Sequence, residues 1–368
     1  MNTMNESLHH TATVCAVCHD QCVSACPVVE ATHRMSAYPS RLAMLALEVH
    51  RQGLPVDADL SRALLDCIDC GACLEGCLYV DRPNDVTPVV RWARQASAQY
   101  APSGLQAWSQ RVQATGSPYP GVSEQLAALK SALPSGEHSS PPLLLYVDAA
   151  TLHYAPAMAL AALQLLQSAG KLNVVLADAV YPGGEWYQYG QQDDFVAAAR
   201  RLAGELAAIQ PAKVVALNPY SAYLLREVYP AQAGVRLEAP VLTLAEALVD
   251  AIHGLPGAAP RKVFLVQSAC ESYRMGGGAG QALLEKAGAQ VSGKRDELTF
   301  REMSYPDGEV FGLEPDPRLW IQKRILGAFQ RSGAEVLVTT SPMALPALRA
   351  AAPGHPVMDL ATYLQGPG

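Results

Sequence analysis

Eight of the nine cysteines in this 368-residue chain fall between positions 15 and 77. They form two short runs. The first is CAVCHDQCVSACP, placing thiols at Cys15, Cys18, Cys22 and Cys26 ahead of Pro27. The second is CIDCGACLEGC, with Cys67, Cys70, Cys73 and Cys77. Thiolate sulfur is a soft ligand, and at this density it reads as a metal site. In a reducing cytosol, nine cysteines are poor candidates for disulfides.

The spacing separates the metal options. Structural zinc uses four ligands, usually as two C-x2-C pairs, and leaves the third and fourth cysteine of each run unexplained. The second run has the C-x2-C-x2-C-x3-C spacing of bacterial ferredoxins, and the first has one extra residue between its second and third cysteine. Three thiolates this close curl around three irons of one cube, while the fourth points away and reaches the other cluster. Two 4Fe–4S clusters are therefore expected. One is held by Cys15, Cys18, Cys22 and Cys77, the other by Cys67, Cys70, Cys73 and Cys26. Gly71 suits a tight turn beside sulfur. The inserted residue in the first run and Leu78 after Cys77, where ferredoxins prefer proline, leave a 3Fe form of the first cluster as the lesser alternative. His9, His10, His19 and His33 lie nearby, but eight thiolates already fill two clusters.

The segments around the runs must position these ligands. Arg41 to Gln52 carries apolar residues at helical spacing and stops at Gly53, and a second helix is expected over Asp59 to Leu65. The first 100 residues thus read as a helical two-cluster ferredoxin domain. Residues 101–141 are rich in Pro, Ser and Gly and read as a linker with one short helix near Ser123 to Ala132. Half of the chain is hydrophobic, 17% is charged, and the net charge is −7. This composition argues for a folded protein without the basic face of a nucleic-acid binder. No apolar run reaches the roughly 18 residues of a membrane span, and Met1 to His10 lacks an apolar signal core. A cytoplasmic protein, able to sit peripherally on a membrane partner, is expected.

From Pro142 onward, strand-like apolar runs alternate with helical patterns, as in an α/β domain with a mostly parallel sheet. The pattern then recurs. PLLLYVDAATLHY at Pro142 is answered by KVFLVQSACESYR at Lys262, AKVVALNPYSAYLL at Ala212 by AEVLVTTSPMALPAL at Ala334, and VLTLAEAL at Val241 by VMDLATYL at Val357. Nearly equal offsets imply a duplicated domain, with repeats at 142–256 and 257–368 and a cleft between them. The fold class is α+β multidomain: a helical ferredoxin domain followed by a duplicated α/β domain with mostly parallel sheets.

With these features in place, the whole chain resembles the iron–sulfur subunits of the heterodisulfide-reductase-like family. That family includes the cluster subunits of glycolate oxidase and anaerobic glycerol-3-phosphate dehydrogenase. The resemblance implies an electron-transfer subunit between a flavoprotein dehydrogenase and a quinone or other carrier, with a membrane or quinone-reactive subunit as a further partner. In the family, each C-terminal repeat carries a cysteine after its first strand, a Cys-Cys-Gly and a Cys-Pro-x-Cys. Here Cys270 and Arg274 match the first element of the second repeat, but the others read Val310-Phe311-Gly312 and Ser341-Pro342-Met343-Ala344. The first repeat reads Tyr181-Pro182-Gly183 and Asn218-Pro219-Tyr220-Ser221. The glycine and proline scaffolding survives, and the ligands do not. A lone thiolate cannot hold a further cluster or a zinc, so no catalytic residue is assigned. The alternative is a catalytic disulfide or small-substrate reductase using Cys270 in the cleft. Two further stretches are weaker candidates. The glycine loop at Gly276 could cradle a phosphate, and the aromatic segment Tyr181 to Gly190 could line the cleft.

Overall fold

The computed structural model describes residues 4–77, 83–133, 142–170, 174–178, 180–251, 261–292 and 304–366. Leu78, the carboxyl end of the 101–141 stretch and the junction between the two repeats lie outside the described residues.

Up to Tyr100 the described chain is helical. Helix Glu6–Ala16 starts on Asn5, whose side chain accepts from the Leu8 N–H at 2.9 Å. It packs against Pro39–His50, which buries Leu42, Ala43, Ala46, Leu47 and Val49. This is the helix expected at Arg41, begun two residues earlier by Pro39 at its first position, where a missing N–H costs nothing. The helix expected at Asp59 spans Ala58–Leu64, capped by the Asp57 side chain. Thr87–Ala96 closes the group and is buried on nearly every side, Arg91 and Arg94 included.

The 101–141 stretch is not the linker its composition suggests. Its described part forms the short helix expected near Ser123, at Val122–Ser131, and a second, longer one, Ser103–Thr115, that was not expected. The longer helix buries Leu105, Trp108 and Val112, a spacing of three and four residues that outweighs the Pro, Ser and Gly around it. Pro102 precedes this helix, and Gly116, in the left-handed conformation (φ +75°), ends it.

Beyond it the fold is mixed α/β with parallel sheets. The first sheet comprises β1 (Leu143–Tyr146), β2 (Val174–Leu176), β3 (Lys213–Ala216) and β4 (Val241–Thr243), in the order β2-β1-β3-β4. The second comprises β5 (Lys262–Ser268), β6 (Gln290–Val291), β7 (Ser304–Tyr305), β8 (Val336–Thr339) and β9 (Val357–Asp359). Its order is β6-β5-β8-β9, with β7 against the end of β5. Every pairing is parallel, and the central strands are buried on both faces, as continuous Val/Leu runs require.

The two sheets therefore share a strand order, and the helices between them exchange contacts reciprocally. Pro156–Ser168, which follows β1, packs on Leu360–Gln365, which follows β9. Gly278–Lys286, which follows β5, packs on Leu244–Leu248, which follows β4. One apolar core runs through both units and takes in Val28, Val29, Ala37 and Ile68 from the cysteine-bearing segment.

The helical part is clamped to the first unit at Gly190. Its φ is +75°, and a Cβ there would stand 2.6 Å from the Gln95 nitrogen and 2.7 Å from the Arg94 carbonyl carbon. Both neighbours are backbone and cannot rotate away. Gly190→Ala is expected to cost about 3 kcal/mol or more through strain and overlap. A fall in the urea unfolding midpoint would register it, and a loss under about 1 kcal/mol would mean that the contact relaxes freely.

Candidate metal centre

Cys15 lies in the last turn of Glu6–Ala16, and Cys18 follows, its N–H donating to the Cys15 carbonyl at 3.2 Å. Cys22 sits in the single turn Gln21–Ala25, reached through Asp20 in the left-handed conformation. Cys26 caps helix Pro27–Thr32 from outside, with Pro27 at its first position. Cys67 and Cys70 occupy the loop after Ala58–Leu64. Cys73 sits in the short helix Ala72–Glu75, entered through Gly71 at φ +73°, and Cys77 follows that helix.

These thiols surround two cavities, and the division is not by run. Cys15, Cys18, Cys22 and Cys77 line an outer cavity of about 470 Å³, together with His19, Asp20 and Asn84. Cys26, Cys67, Cys70 and Cys73 line an inner cavity, which is tighter, about 30 Å³. Cys73 borders both. The electrostatic neighbours divide largely in the same way, although Cys22 also acts on Cys26 and Cys73. Burial, then Cys77 and Cys18, push the Cys15 thiol up to about 12, and burial, then Cys15, do the same for Cys22. Burial raises Cys26 to about 12, with Cys67 among its neighbours, and burial raises Cys70, with Cys26 as its nearest sulfur influence. Burial likewise raises Cys67 and Cys73. Without a metal these sulfurs are neutral thiols, so loading releases protons.

The sulfurs ring their cavities rather than converge. Among the described residues no three His, Cys, Asp or Glu side chains come close enough to hold a single ion. The donor set itself suits a cluster: four soft ligands per cavity, the inner set the more deeply buried, with peptide N–H groups turned toward sulfur. The Asp69 N–H donates to Cys67 Sγ and the Asn84 N–H to Cys77 Sγ, each at 3.4 Å. Of the four histidines, His19 lines the outer cavity, while His9 meets the ring of His50.

Sequence reasoning missed the charges behind the inner set. Asp69, inside the second run, is 3% exposed and paired with Arg91. Arg274, from the turn Cys270–Arg274 after β5, donates to the Asp69 carbonyl and carboxylate, each at 3.0 Å, and to Thr87 Oγ1 at 2.9 Å. Its Nε lies 3.4 Å from the Asp85 carboxylate. Arg94 donates to the carbonyls of Leu64, at 2.8 Å, and of Cys67. Burial alone would raise the Asp69 carboxyl, but Arg91, Arg274 and Arg94 outweigh it and hold it below its ordinary value. Gly71 is glycine partly for this reason: a Cβ there would meet the Arg274 guanidinium at 3.2 Å. Two arginines three apart on an otherwise apolar helix, Arg91 and Arg94, were the visible signal.

Cys270 is 2% exposed, at the end of β5. Its sulfur accepts from Arg274 Nη1 at 3.4 Å, and its N–H donates to Asp307 at 2.8 Å. Burial, then Asp307, push this thiol well up. Around it the positions where the resemblance would place ligands hold other residues, tied by side-chain or main-chain hydrogen bonds. Asn218 and Ser221 donate to Asp148, at 2.7 and 2.8 Å, and the Phe311 N–H donates to Tyr189 at 2.8 Å. The glycine loop ends in Gly277, in the left-handed conformation, which caps Gly278–Lys286. From the aromatic segment, Tyr181 and Glu185 line a small cavity of about 20 Å³ at the carboxyl ends of the strands, with Trp108, Asn218 and Met343.

Glu185 carries a pH consequence. Burial first, then Glu309, raise its carboxyl to about 7. The folded state then holds a proton that the unfolded chain releases near pH 4.5. Stability from this group is complete at low pH and falls as pH rises from about 4.5 to 7, by up to about 3 kcal/mol. Glu185→Gln is expected to flatten the unfolding midpoint across that interval, while an unchanged slope would exclude Glu185 as its source.

No family model matches the sequence, and no curated protein matches it. Among solved structures, a hypothetical protein from Helicobacter pylori aligns over 99% of this chain and 74% of its own, with a TM-score of 0.54 at 10% identity. That likeness concerns the fold alone. An aspartate racemase homologue from Pyrococcus horikoshii aligns over 61% of this chain and 95% of its own at 13% identity, with a TM-score of 0.28. Among the described residues no helix is long and apolar enough to cross a membrane.

Proposed function

We propose that this chain is an iron–sulfur electron-transfer subunit of an oxidoreductase complex. It would pass electrons between a flavoprotein dehydrogenase and a quinone or other carrier, in the cytoplasm or at the membrane face. The observation that supports the reading is the grouping of the cysteines across the two runs. Cys26 stands with Cys67, Cys70 and Cys73, and Cys77 with Cys15, Cys18 and Cys22, each foursome around one cavity. Two zinc knuckles formed by neighbouring C-x2-C pairs would give no reason for the fourth cysteine of each run to cross.

Bound 4Fe–4S clusters would supply one-electron chemistry at potentials set by charge, hydrogen bonds to sulfur and exposure. The chain's own contribution is to hold the eight thiolates, to keep water from the inner set and to place Cys73 between the two cavities. In this reading the C-terminal part is a duplicated α/β domain of the heterodisulfide-reductase-like kind, whose own metal ligands have been replaced. The common strand order and the reciprocal helix contacts support duplication. Cys270, buried and bonded on both sides, gives the alternative of a disulfide reductase no open nucleophile.

Anaerobic purification with iron and sulfide counting, followed by EPR, tests the reading. About eight irons per chain are expected for two clusters. Zinc in place of iron would overturn it. Turnover of a disulfide by the isolated chain, lost in Cys270→Ala, would favour the alternative.

A further inference from the structure

We propose that the inner foursome of thiols holds the higher-potential of the two clusters, and that Arg274, reaching in from the second α/β unit, sets much of the difference. This inference rests on the electron-transfer reading above.

Taking up an electron adds negative charge, so cations and N–H donors near sulfur favour the reduced form, and carboxylates oppose it. The two surroundings differ in both respects. Beside the inner set stand three buried guanidiniums: Arg94, which faces Cys67, Arg274, which faces Cys70, and Arg91, paired with Asp69 behind them. Against them stand the carboxylates of Asp69 and of Asp85, the latter 3.6 Å from Cys73 Sγ. Each inner sulfur also faces the peptide N–H of a neighbour: Val28 and Val29 at Cys26, Asp69 at Cys67, Ala72 at Cys70 and Val86 at Cys73. At the outer set the charges nearest Cys15 are the carboxylates of Asp85 and Asp20, and Asp20 also faces Cys22. No lysine or arginine lines that cavity among the described residues. One Asp20 carboxylate oxygen is buried without a hydrogen-bond partner among the described residues, so no donor offsets it there.

Burial acts the other way. The inner cavity is the tighter, and desolvation penalises the more highly charged reduced state. Solvent reaching the outer cavity favours it. The inference is that three fixed cations and five N–H donors outweigh that penalty, because a low-dielectric surround strengthens their interaction with the incoming charge as well. Arg274 matters most among the cations. It is the one delivered across the fold, and it lies against Gly71, next to Cys70.

The test is an EPR-monitored redox titration of the full chain, purified anaerobically with its clusters. Cys18→Ala removes an outer ligand only, so the signal it abolishes identifies the outer cluster. That signal is expected to be the lower-potential one. Arg274→Gln is expected to shift the reduction equilibrium of the upper transition at least tenfold toward the oxidised form, 59 mV for one electron, leaving the lower in place. Asp20→Asn keeps a residue type that tolerates the left-handed backbone and is expected to raise the lower transition alone. Should Arg274→Gln fail to fold, the wild-type order and Asp20→Asn still decide. Coincident transitions, the reverse order, or an equal effect of Arg274→Gln on both would overturn the proposal. A chain without two iron clusters would instead sink the electron-transfer reading.

Discussion

Cys26→Ala, a change inside the first cysteine run, is expected to empty the cavity of the second. Cys26 lines the inner cavity with Cys67, Cys70 and Cys73, and Cys67 raises its thiol more than Cys22 does. The variant should lose about half of the wild-type iron, or about one iron if a three-iron cluster persists on the remaining thiols. The EPR signal it loses should be the one lost in Cys70→Ala, and the one retained should be that lost in Cys18→Ala. Cys77→Ala should behave conversely, abolishing the Cys18 signal. If Cys26→Ala and Cys18→Ala extinguish the same signal, each run holds its own metal, and the exchange of ligands is wrong. The expected size is large because the carboxylate that lines that cavity, Asp66, is held by Arg34 and Ser36. Among the described residues the remaining cysteine, Cys270, is tied to Arg274 and Asp307.

Asp69→Asn is expected to be the most destabilising isosteric change in the chain. Asp69 has φ +56°, a conformation that asparagine accepts as readily, so backbone and volume are conserved and only the charge is removed. That charge is the anion between Arg91 and Arg274, with Arg94 close by. Removing one partner of a buried pair leaves uncompensated charge and typically costs 3–5 kcal/mol. Asp85, facing Arg274, offsets part of it. Urea unfolding followed by tryptophan fluorescence reads the loss, since Trp92 is buried in the core of the helical part and Trp108 in that of the first sheet. Asp69→Asn and Arg274→Gln share this network, so their combined cost should fall well short of the sum. A loss below about 1 kcal/mol, the range of exposed ion pairs, would show that water reaches the arginines.

The two predictions differ in how readable they were beforehand. The cysteine grouping was legible because ligand spacing is local: four thiols within 12 residues leave few ways to surround a cluster. Arg274 was noticed only as a neighbour of Cys270. Its partner Asp69 lies 205 residues earlier, and nothing in either segment's pattern names the other. The strands were legible as Val/Leu runs, and their recurrence foreshadowed the common strand order. The helix Ser103–Thr115 was not. Its Leu105, Trp108 and Val112 stripe was present, but the surrounding proline and glycine dominated the reading, whereas in the fold they serve as its start and stop. Glu185 was invisible as a perturbed acid because its burial depends on the helices that close over it.

The reach of Arg274 into the cysteine loop bears on how this protein can be divided. A small cofactor-binding domain is ordinarily a portable part that can be cut out, fused or swapped between enzymes. Here, excising the first hundred residues would leave Asp69 without one of its guanidiniums and Gly71 facing a void, while the second sheet would keep a buried, unmatched arginine. Limited proteolysis near residue 100 should accordingly yield fragments that stay associated, or that fall apart with loss of iron. Recombination within such a lineage would have to carry the amino- and carboxyl-terminal segments together, so the two should be inherited as one unit.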